Sequence, residues 1–184
     1  MLLFDHKYMS TKEPKKEKLS LSEVKKIPKL KLLNMIQKAK DHLKKDDVWK
    51  RICKENKESV DIIDLIPTMF GDLDVSAKTE RGVVIINYKL LCDGDFYKDY
   101  SYLIHEYTHW FQQCYGDKPT QSSNAGDYLD NPYEIEGFSN QVNYIADNFG
   151  EDEAEEYVDD LLDYHDVDSK KEKKEKKETL MSKV

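Results

Sequence analysis

The strongest constraint on this chain is the stretch SYLIHEYTHWFQQ, residues 101–113, where Glu106 directly follows His105 and His109 lies four residues after it. Apolar residues on both sides of the motif predict a partly buried helix. Residues i and i+4 of a helix share one face, with Cβ atoms about 6 Å apart. Both imidazoles can therefore reach one zinc ion at about 2.0–2.1 Å. Glu106 lies about 100° further round the helix, where it can reach a water molecule on the metal.

A short motif of this kind also has a plain structural explanation. His105 and His109 would then be surface histidines or hydrogen-bonded core histidines. The metal hypothesis is favoured because the motif lies in a predicted helix with apolar neighbours and follows predicted strands.

A catalytic zinc site needs a third protein ligand and an open fourth position. The candidates are Glu134, Glu136, Asp127, Asp130 and His165 downstream, and Cys92 upstream. Pro132 fits the first position of a further helix, whose apolar stripe is centred about 60° from Glu134 and about 140° from Glu136. Because a ligand must point into the protein, Glu134 is the preferred third ligand and Glu136 the alternative. Both are also ordinary first-turn acids, which the helix dipole favours.

Length and charge limit the broad class of protein. The chain has 184 residues and a net charge of −8, which fits one domain with tails and argues against general nucleic-acid binding. Its three cysteines form no CxxC pair, which suits a reducing compartment. We find no apolar run near the ~20 residues that span a bilayer and no signal-peptide pattern. We therefore expect a soluble cytoplasmic protein that does not act on membranes.

The chain divides into three predicted parts. Residues 1–28 are predicted to be a flexible lysine-rich arm, and residues 168–184 a disordered charged tail. Between them, 29–167 is predicted to be the folded domain. It begins with one or two amphipathic helices up to about Glu55. Short β-branched runs separated by turn residues, among them VDIIDLIP and GVVIINY, then predict two or three antiparallel strands.

The segments HEYTHWFQQ and NPYEIEGF, joined by a polar loop, resemble the minimal gluzincin branch of the zincin metallopeptidases. The match covers roughly residues 80–150. It implies an α+β, zincin-like fold with a short antiparallel or mixed sheet of about three strands packed on the HExxH helix, a following glutamate-bearing helix and an N-terminal helix. It also implies that Glu134 is the third ligand. Phe138 stands where the family often has an acid or amide that supports a histidine, and Asn140 or Gln141 is the suggested replacement.

The resemblance also suggests where a substrate binds. Zincins pair an extended peptide with an edge strand above the active-site helix. The strand predicted at 83–87, with Val84, Ile85, Ile86 and Asn87, fits that role in type and position. A plain core strand explains the same residues equally well.

The expected function is zinc-dependent peptide-bond hydrolysis with Glu106 as general base. Tyr107, Tyr133 and Tyr144 are considered as donors to the developing oxyanion, with none preferred. One alternative is a catalytically silent zincin scaffold that binds or regulates a protein partner. Another is a peptidase whose cleft is covered by residues 1–28. Glu106 argues against the silent scaffold, because it is not needed to hold zinc.

Overall fold

Helices and one small sheet make up the described residues, 18–116 and 128–182, of the computed structural model. The helices are α1 (Leu21–Val24), α2 (Lys29–Leu43), α3 (Asp47–Glu55), α4 (Tyr100–Tyr115), α5 (Pro132–Phe149), α6 (Glu151–Tyr164) and α7 (Lys170–Leu180). The strands are β1 (Thr68–Gly71), β2 (Ala77–Glu80) and β3 (Val83–Asn87). Short 3-10 helices cover Val60–Leu65, Tyr88–Leu91, Phe96–Asp99 and Tyr128–Asp130. The predictions for residues 1–17, Asp127 and 183–184 lie outside the described residues.

The three strands form a mixed sheet in the order β1-β3-β2. β3 pairs in parallel with β1, with Val84 opposite Thr68, and antiparallel with β2, with Ile86 opposite Ala77. The predicted α+β class with a short three-stranded sheet is confirmed. The edge position predicted for Val83–Asn87, and with it the substrate-binding role of Val84, Ile85, Ile86 and Asn87, is wrong, because β3 is the central strand with partners on both sides.

The segment VDIIDLIP also differs from its prediction as a strand. Val60–Leu65 forms a 3-10 helix, because the Ser59 side chain accepts a hydrogen bond from the Asp61 N–H and so starts a helical turn. Ile63 and Ile66 still become buried. The β-branched side chains therefore indicated burial correctly, whereas the capping hydrogen bond of Ser59 favours a helical backbone over a strand.

The amphipathic region before the sheet forms two helices, as the paired aspartates suggest. The Asp46 side chain accepts hydrogen bonds from the Val48 and Trp49 N–H groups at the start of α3. Trp49 is fully buried against Tyr107 of α4, with ring centroids 5.6 Å apart. The helices α2 and α3 therefore support the sheet and one side of α4.

Helix α4 lies between the sheet and α5, and twelve of its sixteen residues are buried. Helix α5 packs against α4. It begins at Pro132, where the Asn131 side chain accepts a hydrogen bond from the Tyr133 N–H, and it ends before Gly150, whose φ is 110°. The start at Pro132 agrees with the sequence prediction. The arrangement sets the HExxH segment against a glutamate-bearing helix on one side and against strands on the other.

Both ends of the described chain differ from the predicted flexible arm and disordered tail. In α1, Ser20 and Glu23 form a reciprocal capping box and Val24 is fully buried. At the other end, α7 packs on α5 and α6, and Leu180 is 2% exposed. Lysines of α7 pair with acids of α6, as in Lys177 with Asp159 at 3.0 Å. The prediction of disorder rested on the lack of apolar side chains, but the lysines of this segment complement an acidic neighbour. No helix among the described residues is long and apolar enough to cross a membrane.

Candidate metal centre

Three side chains from two helices converge at one buried point. His105 and His109 come from α4 and Glu134 from the first turn of α5, and each is less than a tenth exposed. The two Nε2 atoms are 2.9 Å apart. Glu134 Oε2 lies 3.2 Å from Nε2 of His109 and 3.5 Å from Nε2 of His105. These atoms form the one group of histidine, cysteine or carboxylate ligands in the described part of the chain that could hold a metal ion.

The spacing of these atoms fits a tetrahedral ion. Two ligands about 2.0–2.1 Å from zinc at a tetrahedral angle are separated by about 3.3 Å. The three separations, 2.9, 3.2 and 3.5 Å, bracket that value. Two imidazole nitrogens and one carboxylate oxygen are also a donor set that zinc accepts. The three residues could therefore hold a metal ion, and their spacing and donor atoms are compatible with zinc.

Gln112 orients His109. Its Oε1 lies 2.7 Å from Nδ1 of His109, so Nδ1 carries the proton and Nε2 faces the centre. The amide of Gln112 donates to the Tyr133 carbonyl at 3.1 Å and to Oε2 of Glu136 at 2.8 Å. Gln112 thereby ties α4 to the first turn of α5.

The suggested orienting residues, Asn140 and Gln141, are elsewhere. Asn140 donates to Thr108 Oγ1 at 3.1 Å, and Gln141 to Ser101 Oγ at 3.3 Å. The prediction that Asn140 or Gln141 orients a histidine is therefore wrong. The signal for Gln112 was present in the sequence, since it follows His109 by three residues on the same helical face.

His105 is fixed by packing. A Cβ placed on Gly137 of α5 would lie 3.0–3.2 Å from the Cε1, Nδ1 and Nε2 atoms of the His105 ring. Phe138 meets the same ring edge-on, with centroids 4.4 Å apart. Nδ1 of His105 is buried without a hydrogen-bond partner among the described residues. Gly137 is therefore the position at which α5 lets the imidazole approach its backbone.

Glu134 and His109 stabilise each other's charged forms. Burial lowers the pKa of His109, but the hydrogen bond and charge of Glu134 outweigh it, together with the charge of Glu106, and the pKa rises to about 8. Burial works to raise the pKa of Glu134, and the hydrogen bonds of both histidines bring it well below its usual value. The metal-free site therefore favours a carboxylate with a protonated imidazole.

Glu106 lies on the adjacent face of α4, which packs against the sheet. It is 6% exposed. Thr79 of β2 places its Oγ1 atom 2.8 Å from Oε2 of Glu106 and 2.9 Å from the main-chain oxygen of the same residue. No pattern in the sequence indicated Thr79, because the contact depends on which strand lies beside α4.

The face of α4 that carries Glu106 also makes hydrogen bonds to the turn between β2 and β3. Trp110 Nε1 donates to the Gly82 carbonyl at 3.1 Å. Gln113 accepts from the Gly82 N–H at 3.2 Å and donates to the Thr79 carbonyl at 3.0 Å. Glu106, Trp110 and Gln113 are spaced four and three residues apart, and so form a stripe beside the stripe of His105, His109 and Gln112. One helix thus presents the ligands to α5 and the carboxylate of Glu106 to β2.

Tyr128 stands beside the centre. Burial raises the pKa of its phenol, and so does the Glu134 carboxylate, which accepts a hydrogen bond from the hydroxyl, with a further contribution from the charge of Glu106. Its ring stacks on His165 with centroids 5.0 Å apart. The hydroxyl is therefore a proton donor at neutral pH.

The three tyrosines considered from sequence occupy other positions. Tyr107 is fully buried, and its hydroxyl is 3.2 Å from Thr68 Oγ1. Tyr144 is fully buried too. Tyr133 meets Gln112 through its carbonyl. Tyr128 was missed because it follows a polar loop with no periodic pattern.

The remaining ligand candidates that lie in the described residues do not join the group. Glu136 is exposed and bonded to Gln112, Asp130 pairs with Lys176, and His165 stacks on Tyr128. Cys92 is a half-buried free thiol outside the cluster. The structure brings together the preferred set of His105, His109 and Glu134.

Comparison with known proteins gives no match: no family model, no curated protein and no solved structure is detectably similar to this chain.

Proposed function

We propose that this protein is a zincin-like, zinc-dependent metallopeptidase that hydrolyses peptide bonds in a protein or peptide substrate. The observation that carries the proposal is the convergence of three buried ligand atoms from α4 and α5, with the buried Glu106 directly after the first ligand. A structural zinc site is normally closed by four protein ligands. A three-ligand site with an adjacent carboxylate is the arrangement that hydrolysis requires.

The chain's own residues divide the work. His105, His109 and Glu134 would hold the ion, and Gln112 keeps the Nε2 atom of His109 turned towards it. When bound, zinc supplies Lewis acidity, which polarises a scissile carbonyl and acidifies water. Glu106 accepts a proton from the attacking water and delivers it to the leaving amine.

Tyr128 is the group that fits oxyanion stabilisation. Its hydroxyl keeps its proton, and it interacts with Glu134 beside the ligand group. A donor of this kind typically contributes about 10²–10³ in rate.

An extended substrate would lie along β2. Within the described residues β2 has β3 on one side only, which leaves its other edge for main-chain hydrogen bonds. β2 also carries Thr79, which contacts Glu106. The strand that serves the substrate is therefore Ala77–Glu80.

The test combines metal content with turnover. The purified chain, His105→Ala and Glu106→Gln are assayed for zinc by mass spectrometry and for cleavage of a quenched-fluorescent peptide library. We expect about one zinc per chain in the parent and in Glu106→Gln, loss of zinc in His105→Ala, and at least about 100-fold slower cleavage by Glu106→Gln. Glu153→Gln makes the same change at an exposed position of α6 and should leave both properties unchanged.

Two results would contradict the proposal. Cleavage by Glu106→Gln at the parental rate would remove Glu106 as the base. A zinc-loaded parent that cleaves no peptide would leave the alternative of a silent scaffold that binds a protein partner.

A further inference from the structure

The hydroxyl of Thr79 makes the one direct side-chain contact to the Glu106 carboxylate that the described residues provide. The Oγ1 atom is 2.8 Å from Oε2 of Glu106 and 2.9 Å from the main-chain oxygen of Glu106. A hydroxyl has one proton, and a carboxylate is the stronger acceptor. The proton is therefore directed to Oε2, which leaves Oε1 to receive the proton of a water molecule.

Thr79 is itself held in place by main-chain pairing and by α4. It pairs with Val84 of β3 in the antiparallel register, and its carbonyl accepts from Gln113 at 3.0 Å. The neighbouring turn is fixed through Gly82 by Trp110. The hydroxyl thus belongs to a rigid frame, whereas an unpartnered glutamate has three rotatable bonds of its own.

We propose that Thr79 is a positioning residue that selects the Glu106 rotamer competent to act as base; this rests on the proposed peptidase function. The second acceptor, the Glu106 main-chain oxygen, lets the same hydroxyl stay bonded when the carboxylate is protonated. Proton uptake by Glu106 then requires no movement of β2.

The test uses two substitutions at one position and a matched control. Thr79→Val keeps the β-branched shape and removes the hydroxyl, whereas Thr79→Ser keeps the hydroxyl. Thr68→Val removes a threonine hydroxyl from the other outer strand, where it meets Tyr107 and the Ile66 carbonyl instead of Glu106. For each zinc-loaded variant, kcat, KM, zinc content and a crystal structure are determined.

We expect Thr79→Val to lose about ten-fold in kcat, the value of a hydrogen bond to a charged group. KM should stay within about two-fold of the parent, because the lost hydroxyl acts on the base and not on substrate binding. Zinc content should stay at the parental level, Thr79→Ser should recover most of kcat, and Thr68→Val should keep it. Loss that appears in KM alone, or that Thr79→Ser does not restore, would overturn the positioning role.

The crystal structures separate this proposal from the peptidase proposal. In Thr79→Val the Glu106 carboxylate should leave the rotamer that it holds in the parent and in Thr79→Ser. A carboxylate in the same place without the hydroxyl would overturn the inference, whether or not the parent cleaves peptides. A parent that binds zinc and cleaves nothing contradicts only the peptidase proposal.

Discussion

Zinc binding at this site should be strongly pH-dependent, because the ion must displace a proton from His109. The Nε2 atom of His109 faces Glu134 at 3.2 Å, and the carboxylate helps raise the imidazole pKa to about 8. A metal binds the neutral imidazole, so protonation competes with it. Raising the pH from 6 to 9 should therefore strengthen binding.

The size of the effect follows from the pKa of His109. Apparent affinity is weakened by the factor 1 + 10^(pKa − pH), which for a pKa near 8 is about 100 at pH 6, about 11 at pH 7 and about 1 at pH 9. For an imidazole at its ordinary value of 6.5, the factor at pH 6 is only about 4. The two cases differ about 25-fold.

The assay is competition with a chromophoric chelator of known pH-dependent zinc affinity. Calorimetry at pH 7 in buffers of different ionisation enthalpy adds a count of protons released, expected to be about one per zinc. A change in affinity of about four-fold or less between pH 6 and pH 9, with release of about a quarter of a proton or less per zinc at pH 7, would refute the raised pKa of His109.

The metal-free protein gives an independent check of the same pair. A folded-state pKa raised from 6.5 to about 8 contributes stability that is complete below pH 6.5 and lost as the pH rises through 8. Its size is about 2 kcal/mol, from 1.36 kcal/mol per pH unit. The depressed pKa of Glu134 describes the same pair and is not added. Urea unfolding at pH 6 and pH 9 should show this difference in the parent, and Glu134→Gln should remove most of it.

Three further substitutions test the surroundings of the centre. Gly137→Ala should weaken zinc binding about ten-fold, because the new methyl group overpacks the His105 ring; unchanged affinity in chelator competition would contradict this. Gln112→Met removes the acceptor for Nδ1 of His109 and should cost about 10–100-fold in the same assay, with parental affinity as the opposing result. Leu180→Ala should lower the free energy of unfolding by about 2–5 kcal/mol in urea, whereas a change under about 0.5 kcal/mol would mean that α7 is not docked.

The ligand set could be found from sequence because it depends on helix geometry alone. His105 and His109 are one turn apart, and Glu134 lies at the inward edge of the α5 stripe, so period and polarity suffice. Gln112 was within reach of the same reasoning. Gln112 was not predicted because the resemblance places the supporting residue four positions after Glu134, where Phe138 stands.

The sheet side of the site could not be found in this way. The assignment of Thr79 requires the strand order, which places β2 rather than β3 at the edge beside α4. Strand order depends on contacts between distant segments, and alternation of side chains within one strand does not encode it. For the same reason the central position of Val83–Asn87 was not predicted.

Amino-acid composition alone did not predict the structure of the C-terminal segment, which forms α7. The run KKEKKEKKE has no apolar residue, but Leu180 follows it and an acidic partner precedes it in α6. Lys177 lies 3.0 Å from Asp159 and 3.2 Å from Glu155. A segment that is too polar to fold alone can therefore be helical when its neighbour supplies the opposite charges.

The proposed metal binding and catalysis depend on two different faces of α4, so separate substitutions can affect each one. On the proposed peptidase function, a substitution in β2 or its turn should slow hydrolysis and leave zinc bound, whereas a substitution on the side of α4 that faces α5 should abolish zinc binding. On the same proposal, related chains that keep His105, His109 and Glu134 but lack Glu106 should bind zinc without turnover, whereas those that lack only the Thr79 hydroxyl should turn over more slowly. A chain that keeps Thr79 and Glu106 but lacks the three ligands should have no hydrolytic activity, because no metal activates the water.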